Sequence, residues 1–277
     1  MQPGSQHGLQ EPLARAVKPL TALTFCSSAS TRAEVRTLAL DTSLPGGSVA
    51  LRRDGALVLA RAGDPAVPHA VRLPGALIDL VADDGATLDD VQLLAVGLGP
   101  GAFTGLRVGL ATMQGLAFAT GLPIVGVSGL DALAVAAHRA VADRDRVIGV
   151  WLDAGRQEVF AARYRVDPRA AFGVTAVGDP ISARPGAVLD KWRAAGDPMP
   201  VVWIGGGAMT YAAEVKSSGS AVRILETPLL APLVAEVGEQ IKSANGSVAP
   251  HALRPLYIRR PDAELARSRS LAVEGGP

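Results

Sequence analysis

Residues 96–133 read VGLGPGAFTGLRVGLATMQGLAFATGLPIVGVSGLDAL, and this stretch decides the class of fold. The apolar run VQLLAVGLG that leads into it predicts a buried strand, TGLRVGLATMQGLAFATG predicts a helix that Gly121 ends, and LPIVGVS predicts a second strand. A strand, a helix and a strand in this order are the building unit of α/β proteins. From Gly97 to Gly115 inclusive there are six glycines, so the turn and one face of the helix carry few side chains.

These glycines have two physical uses, and the residues alone leave both open. The amides of residues 99–105 precede a helix, where backbone N–H groups attract anions. The stretch is not a Walker loop, because Leu106 stands where lysine is needed, and not a dinucleotide fingerprint, because Ala102 occupies the third glycine position. Alternatively, small residues give the helix a face that a second helix can approach closely: Gly105, Gly109, Ala111 and Gly115.

The composition indicates a globular chain whose charge does not favour direct binding of nucleic acid. Of 277 residues, 48% are hydrophobic and 19% are charged, which is enough apolar material for one or two cores. The 27 basic and 26 acidic residues leave a formal net charge of +1, so there is no basic field for nucleic acid or a membrane surface. Cys26 is the single cysteine, which is typical of a reducing compartment, and we expect a cytoplasmic protein without membrane spans.

One arrangement of elements occurs twice along the chain. TLALDTS, residues 37–43, is an apolar strand that ends in Asp-Thr-Ser, and the next two strands complete an antiparallel meander. RVIGVWLDAG, residues 146–155, is again an apolar strand that ends in Asp, with QEVFAARYRV as its hairpin partner. Helices and strands alternate after each hairpin. We therefore predict two related α/β lobes, at residues 37–145 and 146–264, with a ligand cleft between them.

The two ends of the sequence differ from the lobes. Residues 1–36 are poor in acids and lack apolar periodicity, so we predict a disordered extension; a targeting segment is the alternative, because transit peptides share that composition. Residues 265–277 are predicted to be a flexible tail.

Two polar turns are candidates for binding phosphate. Asp41, Thr42 and Ser43 lead into a Pro-Gly-Gly turn whose amides and hydroxyls can cradle a phosphate, and the aspartate can hold a metal ion through water. In the alternative interpretation Asp41 only caps its turn. A glycine triplet between the strand VVWI and a helix also suits an anion, or is an ordinary tight turn: Gly205, Gly206 and Gly207. The four histidines lack the spacing of a metal pair on one helix, so no metal site is predicted.

Five segments together resemble, in chain order, the TsaB (YeaZ) family: LALDTS…SVAL, VGLGPGAFTGLRVGLATMQGLA, LPIVGVSGLDALA, LDAGRQEVFAARY and RPLYIRRPDAE. The resemblance covers about residues 38–264. It implies an α/β fold of two duplicated lobes with mixed sheets, the actin-like ATPase architecture of acetate kinase and the sugar kinases. It also implies a non-catalytic scaffold subunit for tRNA threonylcarbamoyladenosine modification beside the anticodon, which supports the transferase TsaD together with the P-loop ATPase TsaE.

The resemblance also implies where partners bind. TsaD-like chains carry an HxxxH metal pair on a first-lobe helix, whereas the matching segment here, HAVRLPGALIDLV, has His69 followed by Leu73. First-lobe helices of the family pair with TsaD or with a second copy of the chain, which favours close helix approach as the use of the glycines. We therefore expect a partner interface, with a homodimer when the chain is alone, at His69, Leu73, Leu77, Gly105, Arg107, Val108, Gly109, Thr112 and Gly115.

The turns at residues 41–43 and 205–207 are the candidates for a vestigial nucleotide-binding site. No cofactor is expected for this chain itself, ATP or ADP is expected at the interface of the complex, and tRNA is expected to bind only through the complex. The alternative function is a small-molecule kinase of the same fold. It would need an acidic base, for which Asp41 and Asp153 are candidates, but Asp153 is followed by Ala-Gly-Arg, which puts a long side chain in the phosphate loop.

Overall fold

The computed structural model of the protein describes residues 36–141, 146–196, 198–219 and 221–259. The predicted flexible tail and all but the last residue of the predicted extension lie outside this range. Arg36, which the sequence placed in the extension, instead begins the first strand.

The first lobe is built on a five-stranded mixed sheet in the order β3-β2-β1-β4-β5. Strands β1, β2 and β3 form the predicted antiparallel meander, and β4 and β5 continue the sheet parallel to β1. The five strands are β1 Arg36–Asp41, β2 Ser48–Arg53, β3 Ala56–Ala62, β4 Leu93–Gly97 and β5 Ile124–Val127.

The second lobe repeats this pattern in a sheet of order β11-β10-β6-β7-β8, with β9 paired to another part of β7. The hairpin β6–β7 is antiparallel, and β10 and β11 continue the sheet parallel to β6. The fold class predicted from the sequence, two duplicated α/β lobes with mixed sheets, is confirmed. The strands are β6 Val147–Gly155, β7 Glu158–Val166, β8 Val174–Ala176, β9 Ile181–Ala183, β10 Val202–Ile204 and β11 Arg223–Ile224.

Seven α-helices cover the two sheets in the described part of the chain. They are α1 His69–Ala82, α2 Phe103–Thr120, α3 Gly129–Ala140, α4 Pro185–Ala194, α5 Gly206–Thr210, α6 Ala212–Ser217 and α7 Leu230–Asn245. Helices α1 and α2 pack on the outer face of the first sheet, and α4, α5 and α6 pack on the outer face of the second. Within the described residues, no helix has the length and apolar character needed to cross a bilayer.

Successive side chains along each central strand point to opposite faces of its sheet, so one strand contributes to the cores on both sides. In β1, Leu38 and Leu40 belong to the outer core with α1 and α2, whereas Ala39 faces inward. Beside larger side chains, the inner face carries three alanines, Ala39, Ala50 and Ala95. Gly238 of α7 lies so close to Ala95 that a Cβ at that glycine would be 2.9 Å from the alanine Cβ. The backbone of α7 therefore lies directly on the first sheet.

Helices α3 and α7 are exchanged between the lobes. Helix α3 precedes residue 145 in the chain but packs against β6, β7 and β10 of the second sheet, while α7 follows residue 145 and packs against β1, β2 and β4 of the first. The two helices contact each other, and one core runs through both. The two sheets thus lie on either side of residue 145 in the chain, and the helices between the sheets tie the lobes into one unit.

Polar contacts fix α7 on the first lobe and on α3. The amide of Ala231 at its first turn donates to the Ser48 hydroxyl at 3.0 Å. Arg52 of β2 pairs with Glu239 at 3.2 Å, and Arg139 of α3 forms an ion pair with Glu236.

Candidate functional site

A cleft of about 780 Å³ lies between the lobes, where the strands β1 and β6 end. Its lining includes polar residues at or near the end of each central strand, Asp41 and Ser43 in the first lobe and Asp153 in the second. The duplication therefore brings both sequence-predicted aspartates to one cavity, as expected for a site between two related lobes.

Asp41 is the most perturbed acid of the cleft. Its side chain is 1% exposed, and the amide and hydroxyl of Ser43 donate to its carboxylate at 3.1 and 2.8 Å. Burial raises the pKa of Asp41 to about 6, although the hydrogen bonds from Ser43 act in the opposite direction. Gly97 at the end of β4 lies against this carboxylate, since a Cβ there would be 2.1 Å from Oδ2. The carboxyl is therefore enclosed and is harder to ionise than an exposed aspartate.

The glycines of α2 make room for the loop that carries Asp41. The Thr42 hydroxyl donates to the carbonyl of Gly105 at 2.8 Å, and a Cβ at Gly109 would lie 2.1 Å from that hydroxyl oxygen. A Cβ at Gly101 would lie 2.2 Å from the carbonyl oxygen of Ser43. The close approach predicted from the sequence thus occurs, but at these glycines the approaching surface is this chain's own loop.

Four residues of the predicted partner interface lie inside the chain, which corrects their assignment to an interface. Gly105 and Gly109 are buried against the loop, and Leu73 and Leu77 belong to the core between α1 and the first sheet. The helical spacing of Leu73, Leu77, Leu80 and Val81 points these side chains to one face, and that face is turned to the sheet. Four of the nine predicted contacts are therefore unavailable to another molecule.

His69 is half-buried at the start of α1. Its Nδ1 lies 3.0 Å from a guanidinium nitrogen of Arg72, and a Cβ built at Gly47 would lie 3.2 Å from its ring. Burial and then the charge of Arg72 lower its pKa below the ordinary value. The described residues contain no group of three or more His, Cys, Asp and Glu side chains that could hold a metal ion.

The outer surface of α1 and α2 exposes apolar residues that sequence reasoning missed. Val71 is 76% exposed and Ile78 is 53% exposed on α1, and Phe118 on α2 is 88% exposed. Gly115 is exposed with open space above it, and its predicted contact with a partner stays a prediction. We name this surface the α1–α2 face and define it by Val71, Pro74, Gly75, Ile78, Ala111, Gly115 and Phe118. The pattern that could have predicted this face is a second apolar stripe on α1. Val71, Pro74 or Gly75, and Ile78 follow one another at helical spacing on a side of the helix different from that of the buried Leu73 and Leu77.

The remaining predicted interface residues lie beside this face or in intrachain contacts. Arg107 is exposed, and its guanidinium lies 3.9 Å above the Phe103 ring. Val108 and Thr112 are half-buried, and the Thr112 hydroxyl donates to the Val108 carbonyl at 2.8 Å. Their predicted contact with a partner stays a prediction.

The glycine triplet of the second lobe allows a tight crossing over β6. Gly205 has φ +108°, and a Cβ there would lie 2.2 Å from the carbonyl oxygen of Trp151. A Cβ at Gly207 would lie 2.9 Å from the Leu152 carbonyl carbon. Of the three glycines, Gly206 lines the cleft.

The second hairpin turn differs from the first in its side chains. The first turn has Gly46 and Gly47 with positive φ, whereas in the second Gly155 is followed by Arg156 and Gln157, both also with positive φ. The second turn therefore carries the long side chains of Arg156 and Gln157, whereas the equivalent turn of the first lobe has two glycines without side chains.

The chain is similar to TsaB and YeaZ proteins and, over part of its length, to the family model of TsaD. The family model of TsaD, tRNA N6-adenosine threonylcarbamoyltransferase, matches residues 65–179. Escherichia coli TsaB, a tRNA threonylcarbamoyladenosine biosynthesis protein, is 38% identical over 135 residues, which span 48% of this chain and 56% of that protein. An uncharacterised protein of Mycobacterium tuberculosis is 32% identical over 232 residues, which span 82% of this chain and 93% of that relative.

Two solved structures from Pseudomonas aeruginosa match over nearly their whole length. YeaZ is 29% identical with a TM-score of 0.65, and the match covers 80% of this chain and 99% of YeaZ. An uncharacterised protein with similarity to peptidase YeaZ is 30% identical with a TM-score of 0.64, over 81% of this chain and all of that chain.

Proposed function

This chain belongs to the TsaB (YeaZ) family, and from that premise we propose that it is a non-catalytic scaffold that binds and supports a TsaD-like threonylcarbamoyl transferase. Its named relatives are tRNA threonylcarbamoyladenosine biosynthesis proteins, so the reaction it serves is the modification of tRNA adenosine. The proposal assigns the chemistry to the partner and the assembly to this chain.

The single observation that carries the proposal is the α1–α2 face. Single exposed apolar residues are ordinary, but a run of them on two adjoining helices marks a surface that another molecule covers. Val71, Ile78 and Phe118 are exposed on helices α1 and α2, which contact each other. Gly75 on α1 and Gly115 on α2 have no side chain and have open space above them, so a partner could approach the backbone there.

A TsaD-like chain is the occupant that the comparisons favour. The matched TsaD region, residues 65–179, begins just before α1 and includes all of α2, so a TsaD-like chain presents counterparts of the same two helices. Related surfaces pair readily about a twofold axis, since each helix then meets its own counterpart. The same argument supports a homodimer when no transferase is present.

The position that would bear the second metal ligand supports a non-catalytic role. Leu73 stands at that position and is fully buried in the core between α1 and the first sheet. His69, the residue that matches the first ligand, has Arg72 as its neighbour, and that positive charge opposes a bound cation.

The proposal extends to the other members of the assembly. We propose that a TsaE-like ATPase joins the complex, that ATP or ADP binds at the interface of the complex and not as a cofactor of this chain, and that tRNA binds through the partners in the cytoplasm. The near-zero net charge supports the last point, because few phosphates can be neutralised by this chain.

Reconstitution tests the scaffold. The purified chain, a TsaD-like transferase, a TsaE-like ATPase, threonylcarbamoyl-adenylate and tRNA are combined, and modified adenosine is measured with each protein omitted in turn. We expect no product from this chain alone and loss of product when it is left out. Product formed by the chain alone would refute the non-catalytic assignment.

The kinase alternative rests on the enclosed Asp41. A carboxyl with a pKa of about 6 at the floor of a cleft has the properties of a general base. The side chains of Arg156 and Gln157 in the second turn argue against it, because a phosphate cradle requires bare backbone amides. Phosphate release from ATP by the isolated chain, with and without sugars or acetate, distinguishes the two functions.

A further inference from the structure

A segment that follows α7 crosses from the first lobe to the second. We name residues 248–259 the strap. Two hydrogen bonds hold it on the first lobe. The Gln114 side chain of α2 donates to the carbonyl of Pro250 at 2.6 Å, and the amide of Leu256 donates to the carbonyl of Leu98 at 2.7 Å. Leu253 is buried in the first-lobe core. The strap is therefore anchored along the side of α2.

An aromatic stack ends the first-lobe anchor. The ring of Tyr257 lies on Phe103 with centroids 5.1 Å apart, and Arg107 donates from Nε to the Tyr257 hydroxyl at 3.0 Å. The guanidinium of Arg107 also covers the Phe103 ring. All three side chains are in mutual contact at the start of α2.

Two residues further on, the strap is attached to the second lobe. Arg259 donates to a carboxylate oxygen of Glu158 at 2.9 Å and to the carbonyl of Ala154 at 3.1 Å. Both acceptors belong to the hairpin β6–β7, and Glu158 is held in turn by the Ser182 hydroxyl at 3.2 Å. One residue, Ile258, therefore separates the first-lobe anchor at Tyr257 from the second-lobe anchor at Arg259.

Both anchors lie on the cleft. Residues 256–259 line it together with Phe103 and Phe160, and the Arg259 guanidinium lies 5.9 Å from the Phe160 ring centroid. We propose that the strap is a latch across the mouth of the cleft, which holds α2 of the first lobe to the hairpin β6–β7 of the second and fixes the angle between the lobes. Release of Arg259 then frees the lobes to open about the contact between α3 and α7.

The latch is inferred from intrachain contacts alone and stands whether or not the chain binds a transferase. A reporter that needs no partner is therefore suitable. Spin labels are placed on cysteines at Asp89 in the first lobe and Lys191 on α4 in the second, both exposed, with Cys26 changed to Ser so that the labels are unique. Pulsed dipolar spectroscopy then reports the distribution of distances between the lobes.

The Arg259→Ala variant removes the second-lobe anchor, and Arg254→Ala is its matched control. Arg254 donates only to carbonyls of the strap itself, those of His251 and Leu253, among its described hydrogen bonds. We expect one narrow distance distribution for the parent and the control, and a broader distribution with a longer mean for Arg259→Ala. Amides of the turns that line the cleft should exchange with solvent at least about tenfold faster in that variant.

Two further variants keep the test decisive. Tyr257→Ala removes the stack on Phe103 in the first lobe. Glu158→Gln weakens the contact of Arg259 with the second lobe and leaves every residue of the strap unchanged. Circular dichroism checks that each variant is folded. An unchanged distribution in folded Arg259→Ala and Tyr257→Ala refutes the latch. If Arg259→Ala does not fold, an unchanged distribution in Glu158→Gln refutes it. An equal change in Arg254→Ala also refutes it, since the effect then comes from the strap's own conformation.

Discussion

Replacement of Gly109 by Ala tests whether the glycines of α2 serve the chain's own interior. The added Cβ would lie 2.1 Å from the Thr42 hydroxyl and 2.9 Å from its methyl carbon. Thr42 must then move, and it loses its hydrogen bond to the Gly105 carbonyl. Overpacking of this kind costs about 1–3 kcal/mol, and the lost hydrogen bond costs about 1 kcal/mol more.

Helix propensity acts in the opposite direction. Alanine is favoured over glycine inside a helix by about 1 kcal/mol, so the net effect at Gly109 is a destabilisation of about 1–3 kcal/mol. In Gly115→Ala the propensity acts alone, because Gly115 is exposed and a Cβ added there would have no neighbouring atom within 4 Å, and we expect that variant to gain about 0.5–1 kcal/mol.

Thermal unfolding followed by circular dichroism compares the two variants with the parent. For a chain of this size, each kcal/mol shifts the Tm by about 2–4 °C, so Gly109→Ala should melt below the parent and Gly115→Ala slightly above it. If Gly109→Ala melted at or above the Tm of the parent, the loop at Thr42 would have moved aside without loss of stability. The proposed reason for glycine at position 109, close packing against Thr42, would then be wrong.

Three further outcomes follow from the surface, the partner and the buried acids. Phe118→Asp should weaken binding to a TsaD-like transferase at least about tenfold in titration calorimetry with an unchanged Tm, whereas Leu57→Asp, which changes an exposed residue of β3, should have no effect; equal affinities for all three proteins would contradict the α1–α2 face. Gly115→Leu should stay folded and lose the homodimer in analytical ultracentrifugation, and a folded dimer would contradict that contact. Asp131 lies in the first turn of α3 and accepts a hydrogen bond from the Tyr164 hydroxyl at 2.6 Å. Burial raises the pKa of Asp41 and of Asp131 to about 6, so their protonated forms stabilise the folded state at low pH and this stabilisation is lost as the pH rises from about 4 through 6. Asp131→Asn should therefore gain in free energy of unfolding relative to the parent over that range in urea titrations, and parallel pH profiles would show that Asp131 carries no such shift.

The sequence predicted the fold well because the fold follows from local patterns. Two apolar strands that end in aspartate and two hairpins fixed the duplication, and Gly121, with φ +71°, ends α2 as predicted. The helical stripe of Leu73 and Leu77 also contained the information that these residues face the core, although the family resemblance assigned them to an interface.

The candidate site was harder to predict because its contacts join distant parts of the chain. A face of small residues indicates close approach but does not identify the approaching surface, and the contact of Thr42 with Gly105 spans 63 residues. The exchange of α3 and α7 between the lobes is equally invisible, since the apolar pattern of a helix is the same whichever sheet it covers. The strap escaped notice because hydrogen bonds to main-chain carbonyls, such as those of Pro250 and Ala154, leave no pattern of residue types.

The exchange of α3 and α7 has a consequence for synthesis on the ribosome. The first sheet is complete in sequence at Val127, but the helix that covers its inner face begins at Leu230, roughly 100 residues or about 5–20 s later at ordinary rates of translation. During that interval the nascent chain carries an apolar sheet face, with Ala39, Ala95 and Val127, that has no cover of its own. A nascent chain that ends before Leu230 therefore lacks the helix that covers this sheet face, and the first lobe can complete its inner core only after α7 has been synthesised.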